Sequence, residues 1–599
     1  MITIDQLRIQ VEQACNDEAD FDELMQALDD CILAHPQEPE YLRLRIQMFE
    51  AAYDRISAWK DRCALHVLLP DDVDNHLALL MLQRRSALWI ANDVFEEKLE
   101  TFYPEDEEQE LDADQEAALA LVQAEIEAHA ETLENSALTA LMQLMASHVS
   151  NADLAHQILA TWEAAHIWNP WQKMTMILQV QAKHPQDLRF KKAYASFLLA
   201  LSNDVHEQTD KAPSGYFDHV IEGRFHAVTV YQAIAAIDAL LAEGALDEEA
   251  DLLSGHADLL KALDDYPAAA KSLRLAAQAC QIALDRAAED EREDLQTNID
   301  TLLSQARICE AGKAAVQAAH FSDIDTSIAQ MSGSSVLGHS DMTASPELAE
   351  NLRTFKSTVV DWQAASTHDL QEPDAAQQQE LQASANRVAN SVMSLVRWDQ
   401  IQLQLMQEND FQENITPWFE TVAAEMQQTD MQFLSWFQNL GNVAMLGCEA
   451  PGQCWLSPAR DFALTVEATS RGTLKRCLSR FSDGSLMLTT DSRSSNYFIS
   501  GSQVHIFPVY KATSLTEMLN LHKARVDAHL ANSPDIAVIS LDNIASMQEL
   551  ENILRIHGRE FRLSQGITDV EIRGLNVRFH QYFATQLKQV VAQRIAALK

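Results

Sequence analysis

Apolar residues in the first third of the chain recur at helical spacing and fall into paired short segments. Leu7, Val11 and Cys15 stand four apart, and Phe21, Leu24, Leu28 and Cys31 resume the pattern after an acidic turn at 16–20. These predict a helical hairpin over residues 3–33. Tyr41, Leu44, Met48, Ala51 and Ala52, answered by Ile56, Trp59, Cys63 and Val67, predict a second over 38–69. Leu77, Leu80, Met81, Leu88 and Phe95 predict a third after Pro70. One hairpin cannot bury both of its apolar sides, so each is expected to stack on the next.

The punctuation between these segments is periodic. Pro36, Pro70 and Pro104 are 34 residues apart, each at the end of a predicted helix and each followed by acids, which suit the N-terminus of the next helix. His184-Pro185-Gln186-Asp187 repeats the text of His35-Pro36-Gln37-Glu38 out of phase. Helices are expected over 115–134, 138–149 and 154–166. Trp162, Trp168 and Trp171 lie within ten residues, reading either as a bulky joint between hairpins or as an aromatic platform for a peptide.

The clearest hairpin is residues 252–279. Leu253, Ala257 and Leu260 face Ala269, Leu273 and Ala276 across the turn Leu263-Asp264-Asp265-Tyr266. This resembles the tetratricopeptide repeat family at its small and large packing positions. Counting back 34 places Gly223 at the family's close-contact glycine and Ala235 at its small position. The resemblance, degenerate in lacking the consensus tryptophan and most glycines, covers about residues 5–315. It implies an α-solenoid with a concave groove for peptide segments. The Lys and Asn set with which part of that family clamps a C-terminal carboxylate is absent, so no binding residue is carried over.

Residues 321–345 are rich in Ser and Gly and mark a linker after an array over 1–320. Ser345-Pro346-Glu347 then restarts helix, and a helical segment over 346–440 is expected, with helices at 346–365, 374–409 and 416–439 and with Trp362, Trp398, Trp418 and Trp436 in its core. Past Gly441 the period shortens to two. Strands are expected at 462–467, 474–481, 485–490 and 504–509, with Asp483-Gly484 as a hairpin turn, then helices at 514–531, 546–556 and 576–598 and a short strand at 538–541. The fold class is mainly α: an α-solenoid of helical hairpins, a helical segment, and an α+β module over 441–599 that resembles no family.

The chain has 599 residues and a formal net charge of -45. No Lys or Arg occurs from Leu99 through Gln172, where Glu105, Asp106, Glu107 and Glu108 open a long acidic run, whereas residues 460–599 hold 17 basic against 13 acidic residues. A nucleic-acid partner on the N-terminal array is thereby disfavoured, and a protein partner docking on the run would be basic. Otherwise the run is a solvated surface. No apolar stretch reaches 18 residues and the N-terminal text lacks a secretory pattern, so no membrane span and a cytoplasmic location are expected. Eight cysteines without disulfide-like spacing fit reduced thiols, with Cys15, Cys31 and Cys63 expected in the core.

Candidate chemistry is sparse. Cys448 and Cys454 with Cys477 suggest zinc, but five residues separate the first two and no nearby His completes a quartet. His522 and His529 are seven apart rather than three or four, and Lys523 and Arg525 on the same helix suggest a basic, solvated face. Ser482-Asp483-Gly484-Ser485 reads as a hairpin turn rather than a nucleophile elbow. No catalytic, cofactor-binding or metal residue is assigned and no cofactor is implied. The expected function is a non-enzymatic protein-interaction or scaffold protein that binds through its helical-repeat surface. The alternatives are a sequestering protein for a basic partner, or an enzyme in which Arg480, Asp483, His505, His522 and Arg525 converge.

Overall fold

Helix formers with few Gly or Pro dictate a run of helices, and capping residues set their starts. The computed structural model describes residues 4–17, 21–100, 102, 113–163, 170–203, 222–223, 227–289, 291–312, 315–316, 373–393, 396, 402–407, 416–441, 443, 449–469, 472–492, 499–576 and 579–598. They form two compact units, Met1–His184 and Pro185–Lys599. Pro104, the acidic run over 105–112, Trp168, the linker 321–345, the helix at 346–365, Trp362, Trp398 and Cys448 lie outside the described residues.

The first unit contains α1 (Ile4–Asp17), α2 (Phe21–Ala34), α3 (Pro39–Ala51), α4 (Arg55–Leu68), α5 (Val73–Arg85), α6 (Ala87–Val94), α7 (Glu96–Glu100), α8 (Ala113–His148), α9 (Ala152–Glu163) and α10 (Pro170–Lys183). Pro36 and Pro70 stand in equivalent turns. His35 N donates to Cys31 O at 2.8 Å and Glu38 N to His35 O at 3.0 Å, just as Leu69 N donates to Leu65 O at 2.8 Å and Asp72 N to Leu69 O at 3.1 Å. Asp54 and Asp72 then cap α4 and α5, accepting from Ser57 N and Asn75 N. Leu7, Val11 and Ala14 of α1 pack with Leu24 and Leu28 of α2 and with Tyr41, Leu44 and Met48 of α3. The other side of α3, Leu42 and Ile46, meets Leu65 of α4. Stacking thus buries both faces of α3, each large apolar side chain contributing about 1.5–3 kcal/mol.

Several expected faces shift. The buried stripe of α1 advances through 7, 11 and 14, which follows the 3.6-residue turn and leaves Cys15 exposed; Cys31 and Cys63 are half-buried. On α4 the buried positions are Ala58, Asp61 and Leu65 instead of Ile56, Trp59, Cys63 and Val67. Arg45 draws Asp61 inward, bonding its two oxygens through Nε at 2.7 Å and Nη2 at 2.6 Å. The helices expected at 115–134 and 138–149 are one, because nothing between them breaks α8.

The second unit opens with α11 (Leu188–Asn203), the two-residue strand β1 (Glu222–Gly223), α12 (Ala227–Ala242), α13 (Ala250–Ala262), α14 (Tyr266–Arg286) and α15 (Arg292–Glu310). Leu253, Ala257, Leu260, Ala269, Leu273 and Ala276 are all buried together between α13 and α14, as their spacing predicts. The close-contact glycine is Gly255, where a Cβ would lie 2.2 Å from Leu199 Cδ2. Gly223 instead pairs with Leu575 in a ladder between β1 and a distant strand, so the frame counted back from 257 does not extend there.

After α16 (Ala375–Val392) come β2 (Leu403–Met406), α17 (Thr416–Met426), β3 (Gln432–Asn439), β4 (Pro451–Leu456), β5 (Ala463–Thr469), β6 (Gly472–Arg480), β7 (Leu486–Thr490) and β8 (Val504–Pro508). These strands form one seven-stranded sheet in sequence order, antiparallel except for the parallel pair β7 and β8. Then follow α18 (Leu515–Asn532), α19 (Ile544–Gln565), α20 (Asp569–Gly574), β9 (Leu575–Asn576), the partner of β1, and α21 (His580–Leu598). The strand expected at 538–541 is a single bridge between Phe481 and Val538.

The expected helical segment over 346–440 is thus partly sheet. Leu403 and Leu405 alternate with Gln402 and Gln404, a period of two that belongs to a strand. Phe433, Trp436 and Phe437 favour a strand after the turn at Thr429, so Trp436 lies in the sheet and not in a bundle. In β4, Pro451 comes first, where its missing N–H costs least, and Gly452 makes room for the Phe437 ring, 2.5 Å from where a Cβ would stand. The array likewise does not end as a unit at residue 320. Val228 of α12 joins the core of the sheet, Gln232 Nε2 donates to Ile506 O of β8 at 2.6 Å, and Arg573 pairs with Asp264.

Candidate functional site

A groove of about 440 Å³ lies in the first unit, lined by Arg8, Glu12 and Cys15 of α1 and by Glu40, Arg43, Leu44, Gln47, Glu50 and Ala51 of α3. Its two walls run parallel. Arg8 Nη2 meets Glu40 Oε1 at 2.6 Å and Cys15 Sγ lies 3.8 Å from Gln47 O, an offset of 32 residues at both places. Alternate helices of successive hairpins point the same way, which is why α1 and α3, rather than α1 and α2, make the walls.

At the N-terminal end of the groove the charges are mutually committed. Glu40 takes Arg8 on Oε1 and Arg43 on Oε2 at 3.3 Å, and Arg43 reaches on to Asp72 Oδ2 at 2.7 Å. The hydrogen bond from Arg8, with help from Arg43, holds the Glu40 carboxyl below its ordinary range. At the other end Glu50 accepts Arg62 Nε and Nη2 on Oε1 alone, at 3.1 and 2.6 Å. Leu44 supplies an apolar floor.

The residues proposed to converge in the second unit do so only in part. Ser479 Oγ donates to Asp461 O at 2.9 Å and also lies 3.0 Å from His522 Nε2; Thr489 Oγ1 lies 2.9 Å from His522 Nδ1 and accepts from Arg525 Nη1 at 2.8 Å. Proton bookkeeping fixes the rest. The single Ser479 hydrogen serves a carbonyl, so His522 Nε2 donates to Ser479, and Thr489 donates to the bare Nδ1. Arg525 also donates to Leu488 O and His505 O and lies over the Phe507 ring.

Burial, and then the nearby Arg525, push the His522 pKa well below its ordinary value, while burial lowers Arg525 to about 10. His522 and Arg525 are buried between α18 and the sheet, not on a solvated face; the (i, i+3) step turns both toward it. This chain of bonds fastens α18. It does not prepare Ser479 as a nucleophile, because the histidine gives a hydrogen to the hydroxyl instead of taking one.

The remaining candidates scatter. Arg480 pairs with Glu549 at 2.8 Å on the opposite face of the sheet, and Asp483 accepts from Ser485 N and Oγ in the β6–β7 turn. The His505 ring is tilted against that of His529, ring centroids 5.1 Å apart. Under α19, Arg476 binds Glu467 at 2.5 Å and Glu551 at 2.7 Å. Sequence reasoning missed this triad; charged residues on strands otherwise rich in apolar side chains were its one signal. Cys454 and Cys477 are fully buried, and burial pushes the Cys454 thiol up to about 12 and Cys477 upward too. Among the described residues no group of three or more His, Cys, Asp or Glu is placed to hold a metal. Trp162 and Trp171 are buried, and Arg84 lies over the Trp162 ring at 5.1 Å, the arrangement of a joint.

No protein-family model matches the chain, and no curated protein is found to be similar to it.

Proposed function

We propose that the chain is a non-enzymatic protein-interaction or scaffold protein, a tetratricopeptide-like helical repeat that receives a segment of a partner protein in the groove between α1 and α3. The observation that carries this reading is the groove itself: parallel helix walls, an apolar floor at Leu44 and polar rims on both sides. A helical array presents such a surface where like-directed helices line one side. The proton arrangement around Ser479 and His522 favours a structural use of that network over catalysis. No described helix is long and apolar enough to cross a membrane, and the described cysteines are free thiols, which suits the cytoplasm.

Selection of peptides from a random displayed library against the full chain tests this. Ala51 is exposed on the groove wall, so Ala51→Trp should fill the groove without disturbing the core. Selected peptides are expected to bind the parent chain and to lose at least about tenfold in affinity, about 1.4 kcal/mol, on A51W. Peptides indifferent to A51W would place recognition elsewhere.

A further inference from the structure

Resting on that reading, we propose that the groove takes a basic segment and seats a lysine or arginine side chain of the partner at its Glu50 end. The two ends of the groove differ in what remains available. At the N-terminal end both oxygens of Glu40 are bonded, by Arg8 and Arg43, and the terminal nitrogens of both arginines are engaged: Arg8 on Asp5 and Glu40, Arg43 on Glu40 and Asp72. An anionic ligand there would have to compete with carboxylates already in place. At the C-terminal end Arg62 occupies only Glu50 Oε1. Glu50 Oε2 is left as an acceptor on the groove wall, with the side chain 45% exposed.

Two further features point the same way. The groove and the residues bonded to its rims hold the carboxylates Asp5, Glu12, Glu40, Glu50 and Asp72 against the guanidinia Arg8, Arg43 and Arg62, a local excess of negative charge. α1 and α3 are parallel, so their dipoles add, and their negative ends lie at the Glu50 end. A cation at the Glu50 end gains from both and displaces no existing bond.

The test uses the full chain and three fluorescent peptides: a Gly/Ser peptide carrying several lysines, its Glu-for-Lys counterpart and its Ala-for-Lys counterpart. Anisotropy should show the lysine peptide binding tightest, with affinity falling about tenfold on Glu50→Lys and less on E50Q, which removes the charge and keeps the shape. The Ala-for-Lys peptide should be unchanged by either. A51W should abolish binding of the lysine peptide. Loss on A51W without loss on E50K would overturn the polarity while leaving the groove reading intact, as would preference for the Glu-for-Lys peptide that A51W abolishes. Binding of no peptide, or binding that A51W does not touch, would sink both.

Discussion

Arg45 and Asp61 make a two-armed ion pair across α3 and α4, with Nε to Oδ2 at 2.7 Å and Nη2 to Oδ1 at 2.6 Å, and a further Arg45 nitrogen reaches Asp29 of α2. Three successive helices are thus tied at one guanidinium. Asp61 is buried, so its charge is affordable only while Arg45 is present.

Arg45→Ala should therefore cost about 3 kcal/mol, the lower end of the penalty for leaving one member of a buried pair. The midpoint of urea unfolding of fragment 1–184 reads this directly. D61N in the same background should recover part of the loss, since it removes the stranded charge. An R45A midpoint equal to that of the parent would show the pair to be incidental.

Stability should also depend on pH in a window set by the buried His522 and the half-buried His505 and His529. Burial, then His529 and Arg525, depress His505 from 6.5 to about 4, and burial depresses His522 and His529 as well. The unfolded chain takes up these protons near pH 6.5 and the folded chain does not. Stability is thus complete above about pH 6.5 and falls as pH drops, His505 contributing up to about 1.4 kcal/mol per unit down to about pH 4 and His522 and His529 adding in the same direction. Denaturant midpoints at several pH values should show this fall, and His505→Gln should flatten it. A slope unchanged in H505Q would mean that His505 titrates normally.

Ser479 provides a chemical check on the non-enzymatic reading. Its hydroxyl donates to Asp461 O and receives from His522, so a fluorophosphonate probe should leave it unlabelled in the folded chain. Labelling at Ser479 that disappears in His522→Ala would establish an activated serine instead.

The strands beyond residue 460 were legible because period-two text and Asp483-Gly484 act locally, and the first hairpins because their apolar stripes do. β2 and β3 were not, since a few alternating residues after a long helical stripe read as its continuation; only the pairing of β2 with β3 and of β3 with β4 decides them. The groove was equally hidden. Arg8, Glu12, Glu40 and Glu50 are ordinary polar positions on amphipathic helices, and it takes the parallel packing at an offset of 32 residues to set them face to face. His522 and Arg525 looked solvated because the sequence around them is polar, whereas hydroxyls of the sheet satisfy them in the interior.

The division of the chain follows from long-range packing too. Because α12 docks on β8 and β1 pairs with β9, fragment 1–184 should melt cooperatively and remain monomeric, whereas fragment 185–320 should expose Val228 and aggregate or fail to fold. A well-folded 185–320 fragment would restore the boundary expected near residue 320.

Hydrogen exchange of the full chain, with and without the tightest selected peptide, is the most direct test of the docking surface. Slowed exchange should be confined to Ile4–Asp17 and Pro39–Ala51, the two walls of the groove, and should vanish in A51W. Protection appearing instead on the seven-stranded sheet, with α1 and α3 unchanged, would contradict the account.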